Sequence, residues 1–204
     1  MKLKKSKKIN ILSTNLINNR TYLGWLKSKK WNPDNKNYLV GFRNNFCIFD
    51  LNQTVINLRN ALKLIYEYNK SNKKILFVGF PELEKKKFNK LLKNSHYYIN
   101  HNLWINGLLS NKQIILSNSK FKTLKKKPDL LVIYQNSIEL ETLKEGINLN
   151  IPIVSFTNVH DNINKIPYSI PGNFYSVGAG KLYYNFLLTI IKDEKNKDTN
   201  KQKL

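Results

Sequence analysis

The chain has 204 residues, with 35 Lys or Arg against 13 Asp or Glu, a formal charge of +22. That length sets one domain with at most an appendage and allows a sizeable core. A hydrophobic fraction of 41% and an aromatic fraction of 12% exclude a disordered polycation; no stretch approaches the about 18 consecutive apolar residues of a membrane span; and the single cysteine, Cys47, excludes an internal disulfide framework or a multi-cysteine zinc site.

Residues 1–15, with Lys2, Lys4, Lys5, Lys7 and Lys8, read as a flexible basic arm. The arm has neither the apolar stretch of a secretory signal nor the Arg-rich pattern of a transit peptide. Between Tyr38 and Leu51, the stretches Tyr38-Leu39-Val40 and Cys47-Ile48-Phe49 flank Arg43-Asn44-Asn45; Asn-Asn makes a tight turn, so a β-hairpin is predicted. Thr54 is placed to cap a helix to about Tyr68, with Val55, Leu58, Leu62 and Ile65 on one face. Ile75-Leu76-Phe77-Val78 is an apolar run too short for a helix and bounded by Gly79 and Pro81, which makes it a strand buried on both faces. Pro81 can start a helix with Glu82 and Glu84 in its first turn and Lys90 and Lys93 in its last. Tyr97-Tyr98-Ile99 is a short strand, and Leu130 to Tyr134 a second buried one. Ser137 caps a helix whose Leu140, Leu143 and Ile147 face inward. Ile151 to Phe156 is a third buried strand with Pro152 near its start. A last helix covers about Phe174 to Ile191, and the rest is a charged tail. Buried strands alternating with amphipathic helices give a three-layer α/β domain with a parallel sheet. Its bounds are 16–192, between the arm and a tail at 193–204.

A charge of +22 on one compact domain repels itself, so an anionic partner is expected, nucleic acid first and a membrane surface second. The distribution favours nucleic acid. Lys112, Lys120, Lys122, Lys125, Lys126 and Lys127 form a second basic stretch without one acidic residue, and neither stretch has the apolar face of a membrane-surface helix. Only Arg20, Arg43 and Arg59 are Arg; the Lys excess suits phosphate neutralisation rather than base readout. The favoured residues all have A/T-rich codons, a second source of that excess.

Catalytic signals are weak. The loop Gly79-Phe80-Pro81-Glu82-Leu83-Glu84 lacks a phosphate cradle, and its carboxylates repel phosphate. Gly178-Ala179-Gly180-Lys181 misses the P-loop pattern, because Tyr175 and Leu182 stand where Gly and Ser or Thr are required; these glycines read as close packing inside a helix. His96 and His101 are five apart, not a helical ligand pair, and read with His160 as satisfied or surface residues. Asp161 sits at a strand-end loop but stands alone, and Cys47 reads as an inert core thiol. No cofactor or metal is expected. Among the aromatics, Trp104 reads as core, while Trp31, beside Lys29 and Lys30, can equally be core or a stacking surface.

Taken in order, several segments resemble one family, ribosomal small-subunit protein 2. They are Tyr22-Leu23-Gly24-Trp25, Lys30-Trp31-Asn32-Pro33, Gly41-Phe42-Arg43-Asn44 and Ile48-Phe49-Asp50-Leu51; then Lys74 to Gly79 and Asn102 to Asn111; then Pro128 to Ile133, Asn150 to Val154, Thr157-Asn158 and Ile170-Pro171-Gly172-Asn173. The resemblance implies a flavodoxin-like fold, here with an N-terminal β-hairpin extension. It also implies a non-enzymatic role in the small subunit between head and body, touching ribosomal RNA and neighbouring small-subunit proteins, and in bacteria helping to dock ribosomal small-subunit protein 1. Typical members carry a long helical hairpin before the strand at Pro128; Asn111 to Lys127 is too short for it. The family's usual His two places after the Gly of the N-terminal motif is replaced in Gly24-Trp25-Leu26, and the Asp that often follows Pro-Gly-Asn is Phe174.

The reading is thus a structural, rRNA-binding component of a small ribosomal subunit, with no membrane and no homo-oligomer. Phosphate contacts are expected at Lys29, Lys30, Arg43, Lys112, Lys120, Lys122, Lys125, Lys126 and Lys127, with Trp31, Asn32 and Asn173 shaping adjoining loops. The trimmed, A/T-biased sequence points to a mitochondrial ribosome, with a plastid or a bacterial cytoplasm as alternatives. The rival functions are a free-standing RNA-binding assembly factor and a flavodoxin-like nucleotide- or FMN-binding protein.

Overall fold

The computed structural model describes residues 12–25, 31–80, 96–99, 104–111, 124, 127–134 and 139–201. The first eleven residues of the expected arm, the helix expected from Pro81 and the Ser137 cap lie outside them. The chain divides into two compact units: Met1–Leu62 with Phe156–Leu187, and Lys63–Ser155 with Leu188–Leu204.

In the first unit, residues 12–18 form a helix (α1), so residues 12–15 of the expected arm are ordered around the fully buried Leu16. The helix ends as helices commonly do, with Thr21 N–H donating to Leu16 O at 3.1 Å and Arg20 in the left-handed region at φ 53°. The predicted hairpin is present as β2 (Leu39–Arg43) and β3 (Phe46–Phe49), turning at Asn44 with φ 53°. A strand the sequence did not announce, β1 (Leu23–Trp25), pairs antiparallel with β3, giving a three-stranded sheet in the order β1-β3-β2. Gly24 lies opposite Cys47, where a Cβ would collide with the Cys47 sulfur and come within 2.8 Å of the Phe49 ring.

Helix α2 (Leu51–Lys70) begins earlier than expected, because Asp50 and not Thr54 caps it: Asn52 N–H donates to Asp50 Oδ1 at 2.8 Å. Thr54 lies in the first turn, its hydroxyl reaching Pro171 O at 2.9 Å. Val55, Leu58 and Ile65 are buried as predicted, joined by Ala61 on the same stripe, and Leu62 is half-buried.

Strands β4 (Ile75–Val78), β5 (Tyr97–Ile99) and β6 (Leu130–Ile133) of the second unit pair in parallel, as does β6 with β7 (Ile153–Thr157), which begins in that unit and ends in the first. Every residue of β4, β6 and β7 is buried, which explains their unbroken apolar or small-polar character. With β8 (Tyr168–Pro171) the order is β5-β4-β6-β7-β8. Counted from β4 this is 2-1-3-4-5, the doubly wound flavodoxin-like order. Helix α3 (Glu139–Asn148) differs from its prediction: Ile147 is 54% exposed and Leu143 half-buried, while Thr142 and Gly146 are buried. The cause is close approach. A Cβ on Gly146 would lie 2.7 Å from Leu131 and 2.8 Å from Ile153, so the helix packs through its smallest residue.

The last helix, α4 (Val177–Lys201), starts three residues late and continues through most of the expected tail. No Gly or Pro follows Gly180, so nothing in the sequence stops it.

Candidate nucleic-acid interface

The first unit assembles a loop cluster around Asn32 and Asn35. Asn32 caps the 3-10 helix Pro33–Tyr38, its Oδ1 accepting from Asp34 N–H at 3.0 Å while its own N–H donates to Val159 O at 3.1 Å. Asn35, fully buried, donates its amide to Val159 O (3.0 Å) and Asp161 O (2.6 Å) and accepts from Ile163 N–H at 3.2 Å. The strap is completed by Asn162 and Asn164, whose amides donate to Asp34. Sequence reasoning missed Asn35, and nothing in Asn35-Lys36-Asn37 distinguishes the buried asparagine from the exposed one.

On this strap stands Trp31, half-buried against Cys47, Phe49, Val159 and Ile163. Its ring meets Phe42 at 5.2 Å between centroids, tilted by 55°, and Phe42 is 50% exposed. Trp31 is thus a partly buried core residue with an aromatic neighbour open to solvent. Arg43 closes β2, exposed, opposite Phe46. Asn173 belongs to another turn of the same unit: its N–H donates to Thr21 O at 2.6 Å and its Oδ1 accepts from Tyr175 N–H at 3.0 Å. In the second unit Lys127 is exposed and its ammonium donates to Leu149 O at 2.8 Å, past the carboxyl end of α3 where a cation is favoured. Lys29, Lys30, Lys112, Lys120, Lys122, Lys125 and Lys126 lie outside the described residues.

A doubly wound sheet holds its ligand where the strand order reverses, here between the carboxyl ends of β4 and β6. Phe80 and Tyr134 follow those strand ends, both buried, with ring centroids 4.9 Å apart, and Tyr98 donates its hydroxyl to Phe80 O at 3.0 Å. His96 is buried, accepting from Ile75 N–H at Nδ1 and facing Asn69 Oδ1 through Nε2 at 2.9 Å. Asp161 Oδ2 accepts from Asn158 N–H at 2.6 Å, which makes it a turn residue. Cys47 is buried with its sulfur 3.4 Å from Gly24 O, and burial pushes the thiol up to about 11. Trp104 is buried, and its loop is clamped to α3 by Glu145, whose carboxylate accepts from Gly107 and Leu109 N–H. Among the described residues no three His, Cys, Asp or Glu side chains converge as a metal site.

Against known proteins, the chain matches the family described as Ribosomal protein S2 in two segments, residues 16–125 and 116–193. "Small ribosomal subunit protein uS2" of Rickettsia conorii is 29% identical over 201 positions, covering 77% of this chain and 66% of the relative. The proteins of the same name from Rickettsia rickettsii and Rickettsia canadensis are 29% and 28% identical with the same coverage. The chain thus spans 66% of the length of these relatives. A match this long, with Trp31-Asn32-Pro33 and Pro171-Gly172-Asn173 both within it, has one consequence: the chain belongs to the ribosomal protein S2 family.

Proposed function

We propose that this chain is a structural constituent of a small ribosomal subunit, held there by ribosomal RNA and neighbouring proteins. The observation that carries the reading is the family match from 16 to 193 on a doubly wound sheet. The sheet serves as a plate, and a charge of +22 supplies its attraction to a polyanion. Trp31, Asn32, Arg43, Asn173 and the lysines at 29, 30 and 112–127 are the RNA-facing set.

The two segments of the match overlap at 116–125, inside the basic stretch, and a 201-position alignment that uses 77% of this chain contains positions with no residue of this chain. Both support the reading that the basic stretch stands where relatives carry an additional internal segment. That trimming, with the A/T-biased composition, favours an organellar, mitochondrial ribosome.

Sedimentation separates the alternatives. A resident component stays with small subunits through a high-salt gradient; a free-standing assembly factor is stripped from mature subunits and follows precursors. Saturable binding of FMN or a nucleotide by the purified chain would overturn the structural role.

A further inference from the structure

Arg20 is out of place by local rules. Four described residues other than glycine have positive φ, all at 53°: Asn44, Asn72 and Asn150 are asparagines, which tolerate that conformation, and the fourth is Arg20. The chain contains only three arginines, at 20, 43 and 59. One of them occupies the position just past α1 where Gly or Asn is the natural choice, with its side chain exposed. Strain of this kind is kept where the side chain has another task.

The surroundings indicate the task. Asn173 N–H donates to Thr21 O at 2.6 Å, and Ser176 Oγ approaches Asn19 O at 3.4 Å. A Cβ on Gly178 would lie 2.8 Å from Asn19 Oδ1. These contacts bring the turn before α4 against both neighbours of Arg20. That turn presents Tyr175, 56% exposed, its ring backed by buried Phe174 at 4.5 Å between centroids. Val177 is 64% exposed, and Lys181, exposed, follows one helical turn later on the same face. Residues 12–25 and 172–191 contain no Asp or Glu. Asp50, next to the Phe49 that bonds Tyr22, is occupied in capping α2.

We infer that Arg20, Tyr175 and Lys181 form a binding site for an unpaired RNA nucleotide. The base stacks on Tyr175, and the flanking phosphates meet the Arg20 fork and the Lys181 ammonium. Val177, two residues after Tyr175, adds exposed apolar surface beside the stacked base. Asn173 then acts by shaping the turn. The inference rests on the ribosomal reading and assigns one of its contacts.

The test titrates the full chain with a short fluorescent single-stranded RNA and, separately, with heparin, across a series of salt concentrations. Tyr175→Ala is expected to weaken RNA binding about tenfold, the loss of one stacked base, and to leave heparin binding unchanged. Arg20→Asn is expected to weaken binding to both polyanions while its thermal midpoint stays level or rises, because asparagine suits the left-handed backbone. RNA affinities equal to wild type in both variants would overturn the inference and leave co-sedimentation with small subunits, hence the ribosomal reading, intact. Wild-type RNA affinity combined with loss from small subunits would assign the surface to a protein neighbour and also overturn it. A lowered midpoint in Arg20→Asn would show that the arginine is structural. Failure of the wild-type chain to sediment with small subunits would instead strike the reading beneath.

Discussion

Replacing Asn35 with Ala removes three hydrogen bonds at once: those to Val159 O and Asp161 O, and that from Ile163 N–H. Val159 O keeps a partner in Asn32 N–H, so two backbone groups lose the asparagine as partner. Asp161 O stands at a half-exposed residue and can recover water, whereas Ile163 N–H belongs to a fully buried residue. At about 1–3 kcal/mol for a group left without its partner in the interior, the expected loss is about 2–4 kcal/mol. For a chain of this size that is a midpoint lowered by roughly 5–15 °C. Asn35→Asp keeps the acceptor for Ile163 but turns a carboxylate oxygen toward two carbonyls, and it is expected to cost at least as much. Thermal unfolding followed by far-UV circular dichroism reads the effect, and amide exchange at Ile163 localises it. A midpoint unchanged in Asn35→Ala, with Ile163 still protected, would refute the reasoning that this amide straps the Trp31 segment to the loop after β7.

Three other outcomes are expected. Burial raises the Cys47 thiol from its ordinary 9.0 to about 11, so the folded state holds its proton where the unfolded state releases it. The contribution is full below pH 9 and lost as pH rises from 9 to 11; the stability difference between wild type and Cys47→Ala should shrink over that window, and a flat difference would refute it. Gly24→Ala collides with Cys47 and Phe49 and should destabilise by about 1–3 kcal/mol, whereas Gly41→Ala, where a Cβ meets nothing within 4 Å, should be tolerated; equal denaturation midpoints would contradict the packing. Changing Lys125, Lys126 and Lys127 to Glu should weaken incorporation into small subunits far more than the same change at Lys195, Lys197 and Lys201, and equal incorporation would contradict the placement of the basic stretch.

The parallel strands were legible because they are buried on both faces: Ile75–Val78 and Leu130–Ile133 carry no polar residue at all. The stripe of α2 was legible for the complementary reason, a long helix with one apolar side. What escaped depends on contacts distant in sequence. β1 is three residues long and exists because β3 offers Cys47 and Ile48 as partners. The buried side of α3 is set by Leu131 and Ile153 pressing on Gly146, which turns Ile147 outward against its hydrophobicity. At the candidate interface, composition announced the charge but not its geometry. Trp31 and Arg43 were visible as residue types, whereas Asn35 and the left-handed Arg20 become distinctive only once the backbone around them is known.

That the α/β plate is held by its cations on a large polyanion is tested most directly by the salt dependence of its affinity for small-subunit ribosomal RNA. Each neutralised phosphate contributes a slope of about −0.9 in log affinity against log salt on a B-form duplex and about −0.7 on a single strand, so several contacts together predict a steep linear fall. An affinity that holds level across the same salt series would contradict the account.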